Sequence, residues 1–380
     1  MGGMINMKCI AKTLLAALAL TTLVFVGCKK RAESSGAPAA SEKAGIGDVS
    51  LRDSDTSKAD VIIRFCYYDT ATWPNIARLP LPEHAYALTF KSMVESLSNN
   101  TIAVELYPGN MLGDTKATME MCMSGSIEMV TCTGTVSALM PELQVIFLPY
   151  VFKGDEVAWD FFDNSPMWKR MCEELEKKSG MRMISVGQNG TRHFTNNVRP
   201  IHSPKDMKGL KFRVMQSPIY VKMVEAMGAS ATPLASGEIY TACQTNVVDG
   251  QENPIWNIVA NKWYEVQKYI TLDGHTWSEN FVMINSKFWN KLTPEQQRII
   301  ERAAYHAQQA DRAAEDLASR VLDFDVIRQT MEVYVPTAEE LKEFQDAAAP
   351  TYTWLRGQVG DAVVDEFLAE IKKSEVKYGY

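Results

Sequence analysis

Between Val61 and Gly180 the chain alternates strand-like and helix-like stretches, and this restricts the fold more than any other feature. Val61 to Tyr68 is apolar enough for a strand inside a sheet. Glu83 to Ser98 sets Ala85, Leu88, Met93, Val94 and Leu97 near one helical face, and Asn99-Asn100 stops it. Thr101 to Leu106 alternates as a strand, Thr115 to Ser124 is helical, and Ile127 to Cys132 returns to strand. Asp155 to Asp163 and Pro166 to Ser179 read as helices, and Met181 to Val186 as a strand that leads into Arg192. The stretch from Asp69 to Pro82, with Trp73 and three prolines, reads as an irregular loop. Repeated strand-helix alternation is the signature of an α/β fold.

The chain has 380 residues, room for two domains of ordinary size. Its longest helical pattern opens at Thr293-Pro294-Glu295-Gln296, a capping box with proline in the first turn. Apolar spacing continues through Ile299, Ile300, Ala303, Ala307, Ala310, Ala314, Leu317 and Val321. Unbroken to Arg328, such a helix is on the order of 50 Å long, wider than most single domains. The pattern by itself also fits two helices with a break between them. Glu332 to Pro336 is a late strand and the remainder is helical.

The net charge is −7, and no basic run exceeds Lys29-Lys30-Arg31, which argues against nucleic-acid binding. The N-terminus reads as an export signal over residues 1–27. Lys8 and Lys12 are its positive region, and the apolar run Leu14 to Gly27 is too short to span a bilayer comfortably. Phe25-Val26-Gly27-Cys28 resembles a relaxed bacterial lipobox, with Phe25 in place of the usual leucine and Cys28 as the lipidated residue. Residues 28–58 are rich in Lys, Ala, Ser, Gly and Asp without periodicity and read as a flexible tether. Cys66, Cys122, Cys132, Cys172 and Cys243 contain no CxxC pair and are expected to be buried apolar residues.

Asn189 to Pro254 carries the chemistry. Arg192 follows Asn189-Gly190-Thr191, a turn signal. Arg213 sits in Lys211-Phe212-Arg213-Val214-Met215, a short alternating strand. Val248-Asp249-Gly250-Gln251-Glu252-Asn253-Pro254 reads as a strand end meeting a turn with an amide and two carboxylates. A planar guanidinium on a rigid strand suits bidentate recognition of a carboxylate. GxSxG, HExxH, P-loop and GxGxxG motifs are absent, and the five histidines lack metal-ligand spacing, so no cofactor and no metal is expected.

TRHFTN, KGLKFRVMQSP and VVDGQENP, in that order, followed by Tyr264-Glu265-Val266-Gln267-Lys268-Tyr269, resemble the solute-binding proteins of TRAP transporters, the DctP type. Upstream, the segments Leu106 to Asp114 and Phe147 to Phe152 extend the resemblance, which covers roughly Asp60 to the end. It implies a two-domain α/β fold of the periplasmic-binding-protein kind, with a ligand cleft between domains and a long helix behind both. The expected limits are 59–190 plus 279–318 for the first domain and 191–278 plus 319–380 for the second. It implies that Arg213 pairs with a ligand carboxylate, with Arg192 and Asn253 completing the site and Thr133 near the ligand. Ser236 stands where some relatives carry phenylalanine. His84 and Trp277, with Tyr68, Trp73 and Trp256, are further candidates for the cleft wall. The implied function is capture of a small organic anion in the periplasm and delivery to the small and large membrane subunits of a cation-driven transporter. Two other readings stand beside it. One is an enzyme on a small acid, with His193 or Glu252 as base; the other is a sensor or adhesin lipoprotein.

Overall fold

The computed structural model describes residues 58–71 and 80–380. The signal segment, Cys28, most of the tether and Trp73 lie outside the described residues. In chain order the elements are β1 (Val61–Cys66), α1 (Pro82–Leu97), β2 (Ile102–Tyr107), α2 (Thr115–Ser124), β3 (Met129–Cys132), α3 (Asp155–Asn164), α4 (Pro166–Ser179), β4 (Met181–Asn196), β5 (Lys211–Val214), α5 (Pro218–Ala226) and β6 (Ser230–Pro233). They continue with α6 (Ile239–Gln244), β7 (Gly250–Pro254), α7 (Ile255–Ala260), β8 (Tyr269–Asn285), α8 (Ser286–Trp289), α9 (Pro294–Leu317), α10 (Asp323–Thr330), β9 (Glu332–Tyr334), α11 (Ala338–Val359) and α12 (Asp361–Tyr378).

Among the described residues, nine strands form one mixed sheet in the order β2-β1-β3-β8-β4-β7-β5-β6, with β9 beside β8. Two strands, β4 and β8, are 16 and 17 residues long, about three times the common length. Their antiparallel register explains why. Met181 to Gly190 of β4 pairs with Ser278 to Asn285 of β8, and β3 adds to Phe281–Ile284. Thr191 to Asn196 pairs with the first half of β8, where β7 adds to β4 and β9 adds to β8. Each long strand therefore belongs first to one α/β lobe and then to the other. Register shifts fall at Met183/Ser185, inside the first-lobe half, and at Gln188/Gly190 and Arg192/Phe194, where bulges add twist at the crossing.

Two local expectations change here. Asn189-Gly190 does not reverse the chain. Gly190 takes φ 112°, a conformation disfavoured for side-chain-bearing residues, and uses it to make a bulge inside β4. Gln251-Glu252-Asn253-Pro254 is not a turn but β7, buried at every position, with the chain reversal upstream at residues 245–249. Antiparallel bonding to β4 and parallel bonding to β5 hold this polar segment extended.

The long helix is continuous in path but not in type. The Thr293 hydroxyl accepts from the Gln296 N–H and the Gln296 side chain accepts from the Thr293 N–H, a cap that contributes about 1 kcal/mol. After α9, a π turn over Ala318–Leu322 leads into α10. The alanine stripe Ala303, Ala304 and Ala307 lets α9 lie close to α1 over Phe65, Val104, Val282 and Ile284 of the first lobe. Farther on, α10 packs on α7, where Ile327 joins the second-lobe core of Ile239, Val248, Ile258 and Trp263. The helix thus spans both lobes. The five cysteines among the described residues are free thiols, and all but Cys172 are buried, as their spacing implies.

Candidate functional site

The strand ends of the two lobes face each other across a cavity lined by Arg213, Arg192, Asn253, Thr133 and Ser236, with Tyr68, Asn189 and Asn257. Six positions singled out by sequence, Tyr68 among them, thus meet in one place although up to 185 residues separate them. In β5, Phe212 and Val214 point into the core, and Arg213 between them turns toward the cavity. Its Nε and Nη2 donate to the Leu234 carbonyl at 3.0 and 2.7 Å. That fixes the plane of the guanidinium and leaves the rest of the fork uncommitted. Among the described residues it has no ion-pair partner, yet it is 4% exposed. Burial lowers its pKa to about 10, with Glu252 opposing and Arg192 assisting that shift. At neutral pH it is a buried cation without its own counter-ion.

Arg192 is used differently. Its Nε donates to Glu252 Oε2 at 2.5 Å, and Nη2 to Oε1 at 2.9 Å and to the Glu252 carbonyl. The Tyr220 ring lies 5.5 Å from the guanidinium carbon. Glu252 also meets His275 Nε2 at 3.2 Å, and His275 Nδ1 lies 3.0 Å from Asp273. Burial pushes Glu252 up, but Arg192 and His275 outweigh it and hold its pKa at about 2. Burial likewise pushes His275 down, and Asp273 and Glu252 more than reverse this. Arg192 is therefore tied into a network with Glu252, His275 and Asp273, and Arg213 stands outside that network. Nearby, Asn253 Nδ2 donates to Gln251 Oε1 at 2.5 Å, and Gln251 Nε2 donates to Thr195 at 2.8 Å, which orients the Asn253 amide.

His84 and Trp277 do not join this group. His84 Nδ1 meets the Tyr67 hydroxyl at 2.6 Å behind the sheet, and burial drops its pKa to about 4. Trp277 donates to Asp155 Oδ1 at 2.8 Å and stacks on Phe162, inside the aromatic core of the first lobe. Trp256 is also outside the cavity wall, but its indole donates to the Asn189 carbonyl and so supports a residue that lines it. His193 sits one position from Arg192 on the strand and so points away from it. Its Nδ1 accepts from the Gly274 N–H at 3.1 Å, and burial lowers its pKa to about 4. Neither His193 nor the ion-paired Glu252 offers a free base beside Arg213.

Tyr68 takes the place in the cleft wall that the sequence offered for it, while Asn189, Asn257, Lys116, Met215 and Gln216 line the cavity without having been singled out for it. Asn189 donates to the Tyr68 hydroxyl while its own Oδ1, buried, has no protein partner. Tyr68 in turn donates to Asn280 Oδ1 at 3.0 Å. Asn257 lies in the first turn of α7, which directly follows β7 and its Asn253, and no periodicity links the two in the sequence. Lys116, Met215 and Gln216 reach the cavity from α2 and from the end of β5. Among the described residues no cluster of His, Cys, Asp and Glu could hold a metal ion, and no helix is long and apolar enough to cross a membrane.

This arrangement has close parallels. The family model for bacterial extracellular solute-binding proteins, family 7 (DctP), matches residues 77–356. The ectoine/5-hydroxyectoine-binding periplasmic protein of Ruegeria pomeroyi is 32% identical over 296 residues, 75% of this chain and 86% of that protein. A TRAP periplasmic solute-binding protein from Ochrobactrum anthropi, solved with its C-terminus bound in the ligand pocket, superposes with a TM-score of 0.74 at 33% identity. That match covers 84% of this chain and 97% of that one. The galactonate complex of a sugar acid binding protein from Advenella mimigardefordensis gives a TM-score of 0.77 at 28% identity, covering 83% and 99%.

Proposed function

The chain belongs to the DctP family of extracellular solute-binding proteins, the binding subunits of TRAP transporters, and from that premise we propose that its cleft captures a small organic acid by the carboxylate. Proteins of this family are periplasmic and are transporter components rather than enzymes. The observation that carries the carboxylate reading is Arg213: a buried guanidinium, clamped by one backbone carbonyl, facing the cavity with no anion of its own. A carboxylate there supplies the missing charge and accepts the remaining donors. Arg192 acts as the rigid wall of the site, since Glu252 already satisfies its fork. Asn253 orients the bound acid, and Thr133 and Ser236 close its two sides.

In this reading the loaded protein delivers its acid to the small and large membrane subunits, and a cation gradient drives import. The two groups of strands joined only by β4 and β8 support domains of 59–190 plus 279–318 and 191–278 plus 319–380, although α12, at the end of the second span, packs on α3 and α4 of the first. Cys28 is the lipid anchor, and the residues after it are the tether. The decisive experiment is mass spectrometry of small molecules released from the purified protein, followed by calorimetry with the compound found. A carboxylic acid recovered unaltered, bound one to one, is expected. A neutral compound, or an acid recovered chemically changed, would overturn the reading.

A further inference from the structure

The cavity at Arg213 has room of about 70 Å³, enough for a carboxylate and a few neighbouring atoms. Beside it lies a second hollow of about 500 Å³, lined by Met119, Met123, Ala138 and Leu139. The two hollows adjoin, since Lys116, Thr135 and Gln216 border both. Thioethers lie along this boundary. Thr133 Oγ1 points at Met215 Sδ from 3.9 Å, and Thr135 Oγ1 at Met119 Sδ from 3.6 Å. Two hydroxyls of the cavity wall are thus turned toward sulfur. Beyond them the polar groups are at the rim, at Lys116, Glu120 and Gln216, while the floor is apolar. Met123 keeps 37% of its surface exposed there, a large apolar side chain left uncovered at the mouth of a binding site.

We propose that the acid held at Arg213 carries an apolar tail, alkyl or aryl, which leaves the cavity past Thr135 and Gln216, the residues the two hollows share, and lies on Met119, Met123 and Leu139. This rests on Arg213 being the carboxylate site. Two unbranched thioethers in the groove, Met119 and Met123, with Met215 in the neighbouring cavity, adapt to tails of different shape, so the groove selects for apolar character and length more than for outline. Each methylene that reaches the groove gains about fourfold in affinity if fully buried.

Calorimetry with butyrate, hexanoate, octanoate and 3-phenylpropanoate, against succinate and gluconate, tests this on the wild-type protein and three variants. Affinity is expected to rise two- to fourfold per methylene along the alkyl series, and octanoate and 3-phenylpropanoate to bind at least tenfold tighter than gluconate. Ala138→Trp, at an exposed position, fills the groove and is expected to remove the chain-length gain while leaving butyrate within twofold. Met123→Gln, also at the surface, is expected to weaken octanoate about fivefold. Arg213→Ala is expected to abolish all binding. If succinate or gluconate binds tighter than every tailed acid, and Arg213→Ala abolishes that binding, the tail is wrong and the carboxylate site stands. If tailed acids bind equally well to Arg213→Ala, the carboxylate site itself falls. Failure of folded wild-type protein to bind any of the six acids would overturn both.

Discussion

Arg213 and Arg192 are the same residue type in one cavity, yet their chemistry differs because of what each touches. Arg192 gives its fork to Glu252, and Arg213 gives part of its fork to the Leu234 carbonyl. Only the second arrangement leaves a charge for a ligand. Arg213→Lys retains the charge but loses the planar fork and the paired bonds to Leu234. Loss of one side of a buried, hydrogen-bonded charge pair costs about 2–5 kcal/mol, so affinity is expected to fall by roughly 30-fold to several thousandfold with the fold intact. Calorimetry with the natural acid, alongside a thermal melt, checks this; retention of binding within threefold would remove Arg213 from the role.

At the scale of elements, α9 does more than cover the sheet. It sends two carboxylates into the β4–β8 crossing. Asp311 accepts from the Gln188 N–H and from Asn280 Nδ2, the latter at 3.1 Å, and Glu315 accepts from Gln188 Nε2 at 2.7 Å and from Ser319. Gly187 and Gly190 make this approach possible, since a Cβ at either would collide with the carboxylate opposite. Burial raises Asp311 to about 7, against the Gln188 N–H, Asn280 and Arg312, and raises Glu315 to about 8, against Ser319 and Arg320. Asp155 and Asp316 add to the rise at Glu315. Both groups bind a proton more tightly folded than unfolded. Their contribution to stability is therefore full below the ordinary carboxylate range and is lost as pH rises through about 7 to 8. The buried Asp69, Glu83 and Glu279 are shifted in the same direction. Denaturant unfolding from pH 5 to 8.5 is expected to show falling stability for the wild type. Asp311→Asn with Glu315→Gln should have a flatter profile. An unchanged slope in the double variant would place the pH dependence elsewhere.

For the whole molecule, the two lobes share β4, β8 and the α9–π–α10 path. The β4 bulges at Gln188/Gly190 and Arg192/Phe194 and the π turn fall where the chain passes from one lobe to the other. Bulges and π turns are places where regular hydrogen bonding is already interrupted, so bending there costs less than inside either lobe. Closure of the lobes about these points on ligand binding is the expected motion. Small-angle scattering should give a smaller radius of gyration with saturating ligand; an identical profile would mean that the pocket is preformed. The anchor is a separate matter of the N-terminus. A flexible chain of about thirty residues has a root-mean-square reach of roughly 30 Å, so the proposed tether after Cys28 would let the domain reorient above a membrane. Cys28→Ser is expected to abolish metabolic lipid labelling and partition into detergent without altering ligand affinity. Wild-type protein found wholly in the aqueous phase, with a different N-terminus, would remove the anchor and leave export in place.

Much of this was legible in the residues themselves. Alternating period-2 and period-3.6 patterns specify α/β because they report which face of each element meets apolar neighbours, and the Thr293 capping box marks the helix start through bonds made within one turn. The motifs around Arg192, Arg213 and Asn253 carry the family because their spacing is local to the chain. The rest depended on which strands became neighbours. Asn189-Gly190 reads as a turn until β8 pairs on both sides of it and makes it a bulge, and the polar Gln251–Asn253 run reads as a loop until β4 and β5 satisfy its backbone. The π turn leaves no clear mark, because it answers to the packing of α9 on one lobe and α10 on the other. His84 and Trp277 have side chains suited to a ligand, and the fold commits them instead to Tyr67 and Asp155. Charge balance was the least legible feature. Glu252 could have neutralised either arginine, and only the antiparallel register of β4 and β7 gives it to Arg192 and leaves Arg213 free.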